Sequence, residues 1–132
     1  MKHLQHLKEL SHILDSTHNG VSIIDENGIV IIYNRAAGMM LDKNPEEMLG
    51  RFIGDVFPTA WEDLEKILKN RIAQIGEKIT FGNSTIVANR TPILEDNRVV
   101  RAISVFQDIS EYVTQNSFLK LIFLTHRQDL EF

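Results

Sequence analysis

Residues 21–35, Val21-Ser22-Ile23-Ile24-Asp25-Glu26-Asn27-Gly28-Ile29-Val30-Ile31-Ile32-Tyr33-Asn34-Arg35, hold two β-rich runs around a cluster of turn residues and end on a helix-capping asparagine. Asn27-Gly28 between Val21–Ile24 and Ile29–Tyr33 is the strongest short-range hairpin signal, because both residues tolerate positive φ. Two adjacent antiparallel strands are therefore predicted, with Asn34 capping a helix over Arg35–Leu41.

C-terminal to this hairpin the pattern is helical. Asn44-Pro45-Glu46-Glu47 places a cap and a first-turn proline ahead of a turn that Gly50 ends. Thr59-Ala60-Trp61-Glu62 reads as a capping box, and Trp61, Leu64, Ile67, Leu68, Ile72 and Ile75 give the apolar face of a longer helix stopping at Gly76. From Glu77 the period returns to two. Ile79–Phe81, Ser84–Leu94 and Arg98–Gln107, separated by Gly82-Asn83 and Glu95-Asp96-Asn97, form a three-stranded meander. Val99 to Phe106 is apolar on both faces, as in a central strand covered on both sides. The order helix, two strands, helices, three strands argues for an α+β domain with one antiparallel sheet.

N-terminal to the hairpin, Leu4, Leu7, Leu10, Ile13 and Leu14 recur at steps of three and four, the mark of an amphipathic helix. Either a second copy of the chain or the domain's own sheet can cover this stripe. The division expected is 1–19 for this helix, 20–110 for the core domain and 111–132 for an exit helix or tail. The apolar run Phe118–Leu124, interrupted by Lys120, is too short to span a membrane.

The 132 residues, 43% hydrophobic and 24% charged, suit one folded domain. Fourteen Lys+Arg against 18 Asp+Glu, a net charge of −4, leave no electrostatic footprint for nucleic acid or an anionic membrane. There is no cysteine, which removes disulfides, thiolate-held metals and thiol-adduct photochemistry. A soluble cytoplasmic domain is expected. Catalysis is not expected, since there is no phosphate-cradling glycine loop, no Ser-His-Asp ordering with supporting glycines and no carboxylate cluster outside turns and caps. His3, His6 and His12 have helical spacing but lack acidic or thiol partners, so no metal is assigned.

The residues from about Leu10 to Glu111 resemble a PAS domain. Ile23-Ile24-Asp25-Glu26-Asn27-Gly28 followed by Ile32-Tyr33-Asn34-Arg35-Ala36-Ala37 is similar to that family's first hairpin and helix start, and Phe106-Gln107-Asp108-Ile109-Ser110-Glu111 to its closing Asp-Ile-Thr motif, with serine for threonine. The resemblance implies a five-stranded sheet of order 2-1-5-4-3, helices over one face enclosing a cavity, ligand sensing, dimerisation and signal exit through terminal helices. Asn83 to Ile93 most resembles N-terminal sensory domains of sigma-54-dependent transcriptional activators, with sensor histidine kinases next, although Arg101-Ala102 departs from the glycine common there. Haem is disfavoured because no histidine lies between Asn34 and Arg101. A flavin without an adduct is compatible with Trp61, Phe57, Phe81 and Phe106, although such aromatics are more often plain core; no cofactor is assigned.

Arg90 stands out within a strand. Period two puts Ser84, Ile86, Ala88 and Arg90 on one face. If that face lines the cavity, a guanidinium meets an apolar pocket and calls for an anion, such as a small carboxylate. Arg90, Ser104, Ile86, Ala88, Phe57 and Phe106 are then the candidate ligand site. The alternative pairs Arg90 with Glu62 or Asp55, or leaves it facing solvent. Asp108 and Ser110 are the candidate signal exit, and Leu4, Leu7, Leu10 and Leu14 with Ile103 and Val105 the candidate homodimer interface.

Overall fold

The computed structural model describes residues 9, 10, 13 and 18–110. Five strands, β1 (Gly20–Asp25), β2 (Val30–Tyr33), β3 (Gln74–Phe81), β4 (Ser84–Glu95) and β5 (Arg98–Asp108), form one antiparallel sheet in the order β2-β1-β5-β4-β3. Helices α1 (Arg35–Leu41), α2 (Pro45–Met48), α3 (Ile53–Val56) and α4 (Pro58–Asn70) lie between β2 and β3 in the chain. Inward residues Ile24, Ile86, Ala88, Ala102 and Phe106 pack against Ala37, Leu41, Met48, Ile53, Leu64 and Ile67 of the helices as the main core. A second cluster, Val21, Ile23 and Ile32 with Ile31 and Ile103 packed on it, occupies the other face of the sheet. No helix among the described residues is long and apolar enough to cross a membrane.

Asn34 knits the start of the domain together. Its Oδ1 accepts from the backbone N–H of Val21 at 2.8 Å and of Ala37 at 3.0 Å, while Nδ2 donates to the carbonyl of Asn19 at 3.0 Å. One buried side chain thus caps α1 and ties it to β1.

The first hairpin forms, but not through a two-residue turn with positive φ at both positions. Only Gly28 is left-handed, at φ +83°, and Asp25 organises the turn, its Oδ1 accepting from the N–H groups of Asn27 and Ile29. A Cβ on Gly28 would sit 2.7 Å from the Trp61 ring and 2.8 Å from the Phe52 ring, which pack edge to face at 5.0 Å. Gly28→Ala should therefore cost about 2 kcal/mol or more, left-handed strain accounting for ~1–2 and displacement of the two rings for the rest. Urea unfolding checks this. The positive-φ pair lies instead between β4 and β5, where Asp96 and Asn97 join the partners Glu95 and Arg98.

The long helix departs from expectation at both ends. It starts at Pro58, whose ring presets the first helical φ, so Thr59 and Glu62 lie inside the helix and no side-chain cap forms. It ends where Arg71 adopts a left-handed conformation and its N–H bonds to the carbonyl of Ile67, five residues before Gly76. Trp61, Leu64, Ile67 and Leu68 pack on the core, whereas Ile72 and Ile75 are 68% and 49% exposed. The chain turns early because the residues from Gln74 onward pair with β4. Asn44 likewise precedes α2 without a side-chain cap bond.

Of the leading stripe, Leu10 and Ile13 are helical and 40% and 64% exposed; Leu4, Leu7 and Leu14 lie outside the described residues, as do the histidines at 3, 6 and 12 and the segment 111–132.

Candidate functional site

Between the inner face of the sheet and helices α3 and α4 lies a cavity of about 340 Å³. Its wall is mostly apolar, with Leu41, Ile53, Val56, Phe57, Leu64 and Phe106, and its polar members come chiefly from the strands. Alternation along β1, β4 and β5 sends Ser22, Arg90 and Ser104 inward; these three are buried and line the cavity. Four of the six residues expected at the site, Arg90, Ser104, Phe57 and Phe106, line it. Ile86 and Ala88 do not. They share Arg90's face, but both are fully buried in the core cluster. Trp61 is not at the cavity either, being turned onto Phe52.

Arg90 is 3% exposed. Its Nη1 donates to Glu77 Oε2 at 2.6 Å and Gln74 Oε1 at 2.7 Å, and lies 3.5 Å from Asp63 Oδ2. Its Nε is buried without a hydrogen-bond partner among the described residues. The carboxylates differ from those anticipated: Glu62 and Asp55 are exposed, and the neighbour that faces the cavity from α4 is Asp63.

A β-bulge brings Gln74 and Glu77 together. Glu77 pairs with Ala88 and Gln74 with Arg90, so Ile75 and Gly76 add one residue to β3. Gly76 takes φ +74° there and its N–H donates to Asn89 Oδ1 at 2.7 Å. Without the bulge, residues three apart would point to opposite faces. Gln74, Glu77, Asp63, Ser22 and Tyr33 were not anticipated at the site, and for the first two the long-range pairing that places them leaves no local signature.

Tyr33 lines the cavity from β2, its hydroxyl 3.4 Å from the carbonyl of Ala37. Burial, and secondarily the Glu47 carboxylate, push its phenol well above the ordinary tyrosine range. It therefore stays protonated and can donate a hydrogen bond.

At the end of β5, Asp108 Oδ1 accepts from the Ser110 hydroxyl at 2.6 Å and its N–H at 2.9 Å, and Ser110 Oγ accepts from the Thr85 N–H at 2.8 Å. The N–H of Ile109 donates to the Thr85 carbonyl at 2.8 Å. The segment leaving the sheet is thus fastened to β4 one residue before inward-facing Ile86.

An antiparallel sheet with helices gathered over one face and a lined cavity between them defines a small two-layer α+β domain. Residues 8–112 match the model of the PAS fold, and the chain belongs to that family. It is 30% identical over 109 residues to the sensor protein CitS of Halalkalibacterium halodurans and 28% identical over 106 residues to a probable C4-dicarboxylate sensor kinase of Bacillus subtilis, covering 81% and 79% of this chain. It spans about a fifth of the length of those relatives, 20% and 19%. Both are named as sensors, not as sigma-54-dependent activators. Among solved structures, the PAS domain of histidine kinase ThkA superposes with a TM-score of 0.63 at 17% identity, covering 68% of this chain and 98% of its own. The PAS domain of Bordetella pertussis BvgS gives 0.61 at 18% identity over 90% of this chain and 94% of its own. The E. coli DhaR(N)-DhaL complex gives 0.62 at 24% identity over 80% of this chain and 36% of that chain. These likenesses concern the fold.

Proposed function

We propose that this non-catalytic PAS domain senses a small carboxylate in its cavity, acts in the cytoplasm as a homodimer, and passes the signal to a larger regulator. The observation that carries the reading is Arg90, a buried guanidinium at the wall of a largely apolar cavity, with Nε unpartnered among the described residues. A buried donor of a cation is costly to leave unmet, and a carboxylate oxygen meets it with a strong, charge-assisted bond. Ser104 supplies a neutral hydroxyl beside it. The B. subtilis relative named for C4-dicarboxylates supports a carboxylate as the class. Native mass spectrometry of gently purified protein tests the reading directly: a retained small acid is expected, and an empty protein that no carboxylate stabilises would remove it.

The sensor-kinase relatives favour a histidine-kinase host. The second reading, a sigma-54-dependent activator, rests on the resemblance carried by Asn83 to Ile93. In either host, the fastening of Asp108 and Ser110 to Thr85 is the route by which a shift of β4 reaches the exit segment.

Dimerisation is assigned to the leading leucine stripe against Ile103 and Val105. Leu7→Glu combined with Leu14→Glu should yield monomers in sedimentation, since each buried leucine contributes roughly 1.5–3 kcal/mol and a two-fold interface counts each twice. An unchanged dimer would move the interface elsewhere.

A further inference from the structure

We infer that the ligand is a zwitterion of the α-amino acid type, its carboxylate on Arg90 and its ammonium on Asp63. This rests on the reading of the cavity as a carboxylate-sensing site and narrows it by charge and geometry.

The geometry is a single polar row. Tyr33 pairs with Ser22, Ser22 with Ser104, Ser104 with Arg90 and Arg90 with Gln74, so five polar residues stand side by side across all five strands. The neighbouring inward rows contain Gly20, Phe106, Ala88 and Glu77 on one side and Ile24, Ala102 and Pro92 on the other. With strands ~4.8 Å apart, Ser104 stands about 5 Å from Arg90 and Ser22 about 10 Å. The neutral polar groups of the sheet therefore lie along one line, with the Glu77 and Asp63 carboxylates beside its Arg90 end, and Phe57, Phe106, Leu41 and Ile53 leave an apolar wall for the rest of the molecule. A cavity of about 340 Å³ lies at the small end of ligand sites.

The charge is decisive. Among the described residues, the charged ones lining the cavity are Asp63, Glu77, Lys78 and Arg90. Lys78 is exposed, so its ammonium is solvated. The inner cluster then sets two carboxylates against one guanidinium, a formal excess of one negative charge. A simple carboxylate would raise that excess and a dicarboxylate would raise it further, in surroundings where like charges repel strongly. A zwitterion adds none. Glu77 and Gln74 already hold Nη1 closely, whereas Asp63 approaches it only to 3.5 Å, which leaves the Asp63 carboxylate the available acceptor for an ammonium.

The test is a thermal-shift screen of the L-amino acids, their α-keto and α-hydroxy analogues, the corresponding amines, succinate and malate, followed by calorimetry on wild type and Asp63→Asn. At least one L-amino acid should stabilise the wild type, while its keto acid, its amine and the dicarboxylates do not. Asp63→Asn should bind that amino acid about tenfold or more weakly, the loss of one charge-assisted bond, with its ligand-free melting temperature unchanged. Binding of succinate or malate with no response to amino acids would overturn the zwitterion and leave carboxylate sensing standing. Equal amino-acid affinity in Asp63→Asn would also overturn it. Silence from every compound would remove the sensing reading itself.

Discussion

Asn34→Ala is expected to lower the melting temperature by roughly 10 °C or more. The substitution deletes the cap of α1, costing ~1 kcal/mol, and leaves the buried N–H of Val21 without its acceptor, costing ~1–3 kcal/mol more. It also strips the Asn19 carbonyl of its donor. A total on the order of 3 kcal/mol is a large part of the 5–15 kcal/mol typical of a domain, and each kcal/mol moves the midpoint by roughly 4–8 °C at this size. Asn34→Asp retains the acceptor oxygen but loses the donor to Asn19 and buries a carboxylate there, so it should be destabilised as well. A scanning melt of all three proteins measures the effect, and a fall below about 3 °C for the alanine variant would mean that water or a neighbour replaces the lost bonds.

Arg90→Met is expected to weaken ligand binding about a hundredfold while sparing the fold. Removing one partner of a fully buried ion pair is normally severe, but the side chains of Glu77 and Asp63 are 28% and 25% exposed and can regain water once the guanidinium is gone. Methionine fills much of the space left by the arginine stem. The stability loss should therefore stay near ~1 kcal/mol. Binding loses its charge-assisted contacts to the carboxylate, ~3 kcal/mol for a pair of bonds, which is about a hundredfold in affinity. Chemical denaturation and titration calorimetry separate the two effects, and a variant that unfolds outright would make Arg90 a structural residue first.

What the sequence disclosed follows the range of each interaction. The first hairpin, the Asn34 cap and the limits of α1 at Arg35 and Leu41 are set by neighbours a few residues apart, and all are legible. The inward direction of Ser104 and Phe106 is what the PAS resemblance implies, counted back from Asp108. The bulges are not legible. Gly76 looks like a helix stop because glycine tolerates positive φ, yet that freedom serves the bulge opposite Asn89, while Arg71 ends the helix. In the second hairpin, Asp96-Asn97 alone would set Arg90 opposite Ile103; a register shift between Ile93 and Leu94 sets it opposite Ser104. One residue of slip exchanges the faces of a strand, so the polar row exists only because of it. The identity of the carboxylates beside Arg90 was hidden for a related reason. A helix starting at Pro58 turns Asp63 inward and leaves Glu62 exposed.

Arg90 is the group that reads the ligand, and Arg90→Lys examines this role with the least disturbance. Lysine keeps the charge and much of the stem but lacks the planar fork and the Nε donor. Titration calorimetry of wild type and Arg90→Lys, with whichever carboxylate-bearing compound gives the largest thermal shift, should show binding weakened tenfold or more, roughly 1.4 kcal/mol, at unchanged stability. Equal affinity in the two proteins, or no binding of any carboxylate to the wild type, would contradict it and leave Arg90 as a structural partner of Glu77, Gln74 and Asp63.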